Sequence, residues 1–393
     1  MQAYGAWRVG KCDDAAADAI WKSGCCRRLT AALLSARGVR TPEEARDFLR
    51  EDAGLLHDPM AMKDMDKAVA RIRTAVEKKE TVAVYGDYDV DGITATALMT
   101  SWFRRKGLRC VPYIPERLTE GYGISEEALS SLAAQGVTLL VTVDCGVTAL
   151  HQVERARELG MDVVVTDHHE CVGDLPAAVA VVDPHRKDDG YPFKGLAGVG
   201  VAFKLVSALE GPGSEEMLLE RYSALTALGS IADIMPVTGE NRVLIRRGIS
   251  MLRTREYAGL DSLMAAIFVD KKRISGTDIS FSLIPKLNAA GRMGRVRVAF
   301  DLLMAEDRRE AQRLAGELCA MNTERRSVED RVFREALDML GDTRHPEEPI
   351  VLASEHWHHG VSGIVAARLA EKFGVPAVLL CLDGEGGRGA RPR

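Results

Sequence analysis

Between residues 81 and 184 four apolar runs alternate with helical stretches, and each run ends on aspartate: TVAVYGD (81–87), TLLVTVD (138–144), DVVVTDHH (162–169) and AVAVVDP (178–184). Runs this uniformly apolar read as strands buried on both faces. The segments SEEALSSLAAQG and LHQVERARELG between them read as helices. The alternation predicts an α/β fold with a parallel, doubly wound sheet. Parallel strands bring their carboxyl ends to one edge, where ligands bind in such sheets. Four strands delivering acidic residues to that edge predict one site, assembled from distant segments.

The first strand runs into Asp87, Asp89, Asp91 and Gly92, the D-x-D-x-D-G spacing of a calcium loop. Such a loop needs an acidic residue at position twelve and a helix in front. Position twelve is Leu98, and Thr81–Tyr85 is β-branched and apolar. The calcium reading fails on both counts. The three carboxylates instead mark the passage from a strand into a helix from Ile93 onward.

A chain of 393 residues exceeds one ordinary core, so two or three lobes are expected. The expected division is an N-terminal helical segment (1–60), the sheet domain (61–265), a helical connector (266–340) and a small second α/β lobe (341–393). Within the first, TPEEARDFL carries Thr41 as a helix cap, with Pro42, Glu43 and Glu44 in the first turn. Asp64 to Glu80 reads as an amphipathic helix. A long charged helix, about residues 306 to 340, joins the lobes. Pro346 and Pro349 mark a break before PIVLAS, GIVAARLAEKFG and PAVLLCL, a strand, a helix and a strand.

Hydrophobic residues make up 46% of the chain and the net charge is -5, so any nucleic-acid binding must come from local patches. The eight cysteines show no zinc spacing, which points to a reducing cytoplasm. No apolar run suits a bilayer and no signal peptide is evident, so no membrane partner is expected.

Asp89, Asp91, Asp144, His168 and His169 are hard-oxygen and imidazole donors without thiolate. That set suits Mn²⁺ or Mg²⁺ better than structural zinc. Several carboxylates can hold two cations roughly 3.5–4 Å apart and activate water for attack on phosphorus. The bland reading makes each strand-terminal aspartate a helix cap, Asp144 above all. A lone histidine after a strand is usually surface or satisfied core. Consecutive histidines after an aspartate at a strand end, beside an Asp triplet, make coincidence the poorer account.

GDYDVDG (86–92), VTVDCGV (141–147) and DHH (167–169) resemble the opening motifs of the DHH phosphoesterase family, and GSIADIMP (229–236) is similar to its fourth. YIPERLTEGYG, LAGVGVAFKL, PKLNAAGRMG and WHHGVSGIVAARL resemble its RecJ branch, the single-strand-specific exonucleases. The resemblance covers about residues 40 to 385. It implies that Asp89, Asp91, Asp144, His168 and Asp233 ligate two divalent cations, with Asp91 and Asp144 bridging. It implies that His169 sits beside the scissile phosphate, and that Asp87 and Asp167 orient the ligands by hydrogen bonds.

NAAGRMGR offers Asn288, a close-approach glycine at 291 and Arg292, which can grip a phosphate with two hydrogen bonds. Arg295 and Arg297 lengthen the basic run. The residues alone equally allow a solvated loop; the resemblance implies substrate phosphates at the 5′ end, with Arg292 joining His169 and Asp144 in catalysis. His358 and Gly360 lie at a helix start where the amides of Gly360 and Gly363 are expected to face a phosphate. Trp357 is expected in the core, and Tyr113, Tyr122 and Tyr191 are expected to be structural.

The implied function is a two-metal 5′-to-3′ exonuclease that degrades single-stranded DNA to mononucleotides in repair and recombination. A helicase or a single-strand-binding protein is a candidate partner. The match dissolves after about Gly387, where the family continues, so a truncated or frame-shifted chain with an incomplete second sheet is expected. Three alternatives stay open: a phosphoesterase of short oligonucleotides or cyclic dinucleotides, an aspartyl-phosphate phosphatase suggested by DVDGIT, and an inactive scaffold in replication or repair.

Overall fold

The computed structural model describes residues 10–50, 52–121, 123–341 and 347–382, and the backbone of 387–390. Tyr122, Pro346 and the chain end beyond 390 lie outside them. Three short helices come first: α1 (Asp14–Lys22), α2 (Arg28–Ala36) and α3 (Pro42–Leu49). Thr41 and Glu44 close a reciprocal capping box on α3. The three helices share a small apolar cluster around Ile20, Ala31, Leu34 and Ala45. Helix α4 (Met65–Lys78) then leads into the sheet.

The sheet has five parallel strands in the order β2-β1-β3-β4-β5. They are β1 (Thr81–Gly86), β2 (Cys110–Tyr113), β3 (Val137–Val143), β4 (Asp162–Thr166) and β5 (Ala180–Val182). The edge strand β2 escapes sequence reasoning because CVPY is short and carries a proline. Helix α5 (Val90–Arg105) and α8 (Gly198–Glu210) cover one face with α4. Helices α6 (Glu126–Ala134) and α7 (Leu150–Glu158) cover the other. The strands contribute alternate residues to the two layers: Val82 and Val84 to one, Ala83 and Tyr85 to the other. Each fully buried Val or Leu is worth about 1.5–3 kcal/mol.

Next come α9 (Glu215–Ala232), α10 (Gly239–Thr254), α11 (Ala258–Ala266) and α12 (Gly276–Asp278). A π turn at Ile279–Leu283 passes into α13 (Ile284–Arg292), then α14 (Val296–Met304) and the long α15 (Arg308–Leu340). One apolar cluster joins Val90 and Ile93 of α5 to Leu260, Leu287 and Leu318. The last lobe is β6 (Ile350–Ser354), α16 (His359–Phe373), β7 (Ala377–Leu382) and β8 (Gly387–Ala390). Strands β6 and β7 are parallel, and β8 adds antiparallel to β7. Trp357 is buried there, its Nε1 donating to Glu335 Oε2 at 3.0 Å. Among the described residues no helix is long and apolar enough to cross a membrane.

Candidate metal centre

Strand register builds the site. Gly86 pairs with Val143, Val143 with Thr166, and Thr166 with Val182. The next residue on each strand is therefore at one level: Asp87, Asp144, Asp167 and Asp183. All four are buried. Three groups of donors fall within 4.8 Å of one another: Asp91 with His168 and Asp233, Asp144 with His168 and His169, and Asp87 with Asp89 and Asp144. The Nε2 of His168 lies 3.0 Å from Asp144 Oδ1, 3.7 Å from Asp233 Oδ2 and 3.8 Å from Asp91 Oδ2.

Asp89 is the N-cap of α5, its Oδ1 accepting from the amides of Asp91 at 2.9 Å and Gly92 at 3.2 Å. The helix thus begins at Val90, earlier than the sequence reading at Ile93, because this cap closes the turn. Asp91 accepts from the amides of Gly198 at 2.6 Å and Val199 at 3.0 Å. Asp144 caps no helix: it adopts φ 60 between β3 and a tight turn, and α7 starts only at Leu150. Asp233 is the C-cap of α9, where Met235 donates back to Ser230 at 3.0 Å and closes the helix end.

Asp167 does not join the donor groups; it orients. Its Oδ1 accepts from the His168 amide at 2.8 Å and lies 2.7 Å from His169 Nδ1, while Oδ2 accepts from the Val147 amide at 2.9 Å. Burial pushes this carboxyl up, but the hydrogen bonds outweigh burial and hold it below its ordinary value. The Asp167 bond holds His169 up at about 9, so its imidazole is charged at neutral pH. Asp183, the fourth strand's aspartate, turns away: it accepts from the His185 amide at 2.7 Å and contacts Cys171 Sγ at 3.7 Å. The expectation that all four strands feed one site holds geometrically for three.

Burial raises Asp91 to about 6, and burial with its acidic neighbours raises Asp144 well above the ordinary range. Asp144 Oδ1 is buried and, although His168 Nε2 lies 3.0 Å away, no donor is aligned on it for a hydrogen bond. Crowded carboxylates with an unsatisfied oxygen and a facing imidazole fit hard divalent cations. Two glycines make the room, and sequence reasoning gave them no role. A Cβ at Gly198 would sit 2.5 Å from Asp144 Cβ, and one at Gly229 would sit 2.5 Å from Asp91 Oδ1. Their signal lies within the quoted motifs, but only the fold shows what they face.

The other expected residues gather beside this centre. Asn288, Gly291 and Arg292 lie on α13. A Cβ at Gly291 would sit 2.5 Å from the Tyr88 carbonyl, so α13 rests on the loop that carries Asp87 and Asp89. Burial, with Arg117 and Arg325 nearby, lowers the Arg292 guanidinium to about 10. Arg292 forms no ion pair among the described residues and donates to the Gly360 carbonyl at 3.2 Å. Arg117, unassigned from sequence, lies 5.0 Å over the Tyr88 ring.

Three expectations need correction. The Gly360 amide does not face outward: it donates to His358 Nδ1 at 3.1 Å, because His358 caps α16. Gly363 lies inside that helix. Gly360 serves instead as a close-approach point, since a Cβ there would sit 2.0 Å from the Arg292 carbonyl. Nor do Arg295 and Arg297 extend the basic run; they pair with Glu317 and Asp301. Tyr113 and Tyr191 are structural, hydrogen-bonded to Glu120 and Glu240 at 2.7 and 2.6 Å.

The model of the DHH family, N-terminal domain, matches residues 81–230. The single-stranded-DNA-specific exonuclease RecJ of Bacillus subtilis (strain 168) is 39% identical over 381 residues, 97% of this chain and 48% of that protein. The Escherichia coli (strain K12) exonuclease of the same name is 36% identical over 370 residues, 90% of this chain and 63% of that protein. The chain thus spans about half to two thirds of these relatives. A crystal structure of exonuclease RecJ bound to manganese superimposes with TM-score 0.73 at 34% identity, covering 83% of this chain and 80% of that one. RecJ of Thermus thermophilus in complex with Mn²⁺ gives 0.79 at 30% identity, covering 95% and 53%. With the sheet, the aspartate row and the paired histidines in place, this chain belongs to the DHH phosphoesterase family, in its RecJ branch.

Proposed function

We propose that this chain hydrolyses phosphodiester bonds of single-stranded DNA from the 5′ end. Two divalent cations, Mn²⁺ or Mg²⁺, would be held by Asp89, Asp91, Asp144, His168 and Asp233. The convergence of three carboxylates on His168 Nε2 carries the reading. Asp87, within 4.8 Å of Asp89 and Asp144, is a sixth candidate donor. Bound there, the cations would supply Lewis acidity and lower the pKa of water.

The chain's own groups do the rest. Asp167 keeps His169 charged, and that charge offsets the negative charge building on phosphorus. Arg292, at the end of α13, adds a second cation. Asn288 and the α16 start at His358 and Gly360 complete the wall that positions the strand. Phosphate and sugar contacts carry no base information, so sequence specificity is not expected. A reaction that opens duplex DNA must supply this substrate, which is why a helicase or a single-strand-binding protein is the partner we propose. Eight free cysteines favour a cytoplasmic setting. The four-part division of the chain remains our proposal, supported by separate apolar clusters at the two ends.

The test follows mononucleotide release with Mn²⁺ from 5′-labelled single-stranded DNA, the matching duplex and a dinucleotide. Release from the single strand alone is expected. Cleavage of the dinucleotide alone would favour a short-oligonucleotide phosphoesterase, and no cleavage at all would favour a scaffold. A second prediction concerns the packing between lobes. Gly360→Ala forces α16 away from Arg292 and is expected to cost about 100-fold in kcat/KM, the effect of a displacement of about 1 Å in a reacting geometry. Manganese binding, followed by calorimetry, should persist. An unchanged rate would show that this close approach does not set the geometry.

A further inference from the structure

A cavity of about 440 Å³ opens between α5, α9, α11 and the turn from α14 to α15. Small-molecule sites commonly enclose about 300–1,000 Å³. Its apolar wall includes Ala97 of α5, Ala224 and Leu225 of α9 and Leu260 of α11. A second cavity of about 210 Å³ adjoins it and shares Arg221, Glu256 and Tyr257. The metal centre lies elsewhere on the same two helices. By helical rise, Ala97 is about 9 Å along α5 from Asp91, and Leu225 about 12 Å along α9 from Asp233.

Four residues of the larger cavity carry buried polar atoms without a hydrogen-bond partner: Arg221 Nε, the Tyr222 and Tyr257 hydroxyls and Asp261 Oδ1. Ser101 lies near the Tyr222 hydroxyl but not in bonding geometry. Buried polar groups in folded proteins are nearly always satisfied, so four around one cavity point to a ligand. The other charges are matched. Glu256 meets Arg308 at 3.5 Å, Asp261 Oδ2 meets Lys271 at 2.7 Å, and Glu220 meets Arg255 at 2.5 Å. Glu306 is exposed. Arg221 is the lining cation that has no carboxylate partner among the described residues.

That inventory specifies a ligand. A guanidinium with two hydroxyls takes an oxyanion. Asp261 Oδ1 takes an N–H or O–H, which a simple organic acid lacks. The apolar wall takes a flat body. We propose that the cavity binds a mononucleotide, its phosphate on Arg221 and its base against the apolar wall. The choice of a mononucleotide rests on the reading above, whose hydrolysis releases one.

Calorimetry in EDTA tests this with deoxyadenosine monophosphate, deoxyadenosine and inorganic phosphate. The proteins are the unsubstituted chain, Arg221→Gln, Tyr257→Phe and Arg292→Gln. The monophosphate should bind, and the other two probes more weakly. Arg221→Gln should weaken binding about 10–100-fold and Tyr257→Phe about 3–10-fold, the loss of a charged and of a neutral hydrogen bond. Arg292→Gln should leave it unchanged, which separates this cavity from the metal centre. Arg221→Gln should cleave single strands at the unsubstituted rate. Without nucleotide, the melting temperature of Tyr257→Phe should hold or rise, whereas loss of a structural hydroxyl would lower it. No binding of the monophosphate, or equal binding of either other probe, would overturn the proposal. So would binding lost in Arg292→Gln and kept in Arg221→Gln. Binding through Arg221 in a chain that cleaves no single strand would keep the cavity and remove the functional reading; cleavage without such binding would do the reverse. Tyr257→Phe keeps the test decisive should Arg221→Gln fail to fold.

Discussion

Asp144→Asn is expected to abolish hydrolysis and at the same time to stabilise the metal-free protein. Asparagine keeps the shape and tolerates the positive φ of 60 at this position. It removes a carboxylate that burial and Asp91, Asp89, Asp87 and Asp167 all disfavour. Loss of an outer partner of a metal ligand alone costs about 10–100-fold, so loss of a central donor should cost more than about 100-fold in kcat. The sign of the pH effect follows from the same crowding. Asp91 and Asp183 each titrate at about 6 in the folded chain against about 3.9 unfolded. Between those values the folded state holds more protons, so stability falls as pH rises. His169, raised to about 9, adds stability that is complete below about 6.5 and is lost as pH climbs through its folded value. Metal-free protein should therefore melt lower at pH 8 than at pH 5, and Mn²⁺ should restore most of the difference. Calorimetric melts at both pH values, with and without Mn²⁺, check this; a melting point independent of Mn²⁺ at pH 8 would count against the metal centre.

Glu240→Ala should destabilise the protein by about 3–5 kcal/mol, the usual cost of breaking a buried pair. Lys204 and Glu240 are 1% and 0% exposed and 2.8 Å apart. Glu240 also accepts from the His57 amide at 2.9 Å and the Tyr191 hydroxyl at 2.6 Å. Removing it strands Lys204, whose pKa burial already lowers, and leaves two further donors without acceptors. The double variant Lys204→Met with Glu240→Leu should recover much of the loss. Urea unfolding of the two forms would show it. Near-equal losses would mean that the loop at residue 57, rather than the buried charge, dominates.

The strands, the α3 cap, the long α15 and the aspartates at the strand ends were legible because each rests on local periodicity or capping chemistry. Strand β2 was not, since four residues with a proline carry little local signal. The capping roles of Asp89 and His358 were not read from the sequence, because a cap depends on where the turn closes. The pairing of Arg295 and Arg297 depends on Glu317 and Asp301, and the first of these lies on another helix.

By itself the sequence determined which residue types reach the sheet edge and in what order, because strand alternation and donor chemistry are local properties. Only the tertiary structure decided which of them meet. Register placed Asp87, Asp144 and Asp167 in one row, Gly198 and Gly229 let α8 and α9 close over it, and Gly291 and Gly360 let the second lobe rest against it. Those contacts join segments 23 to 203 residues apart, beyond the reach of local periodicity, so packing selects the partners.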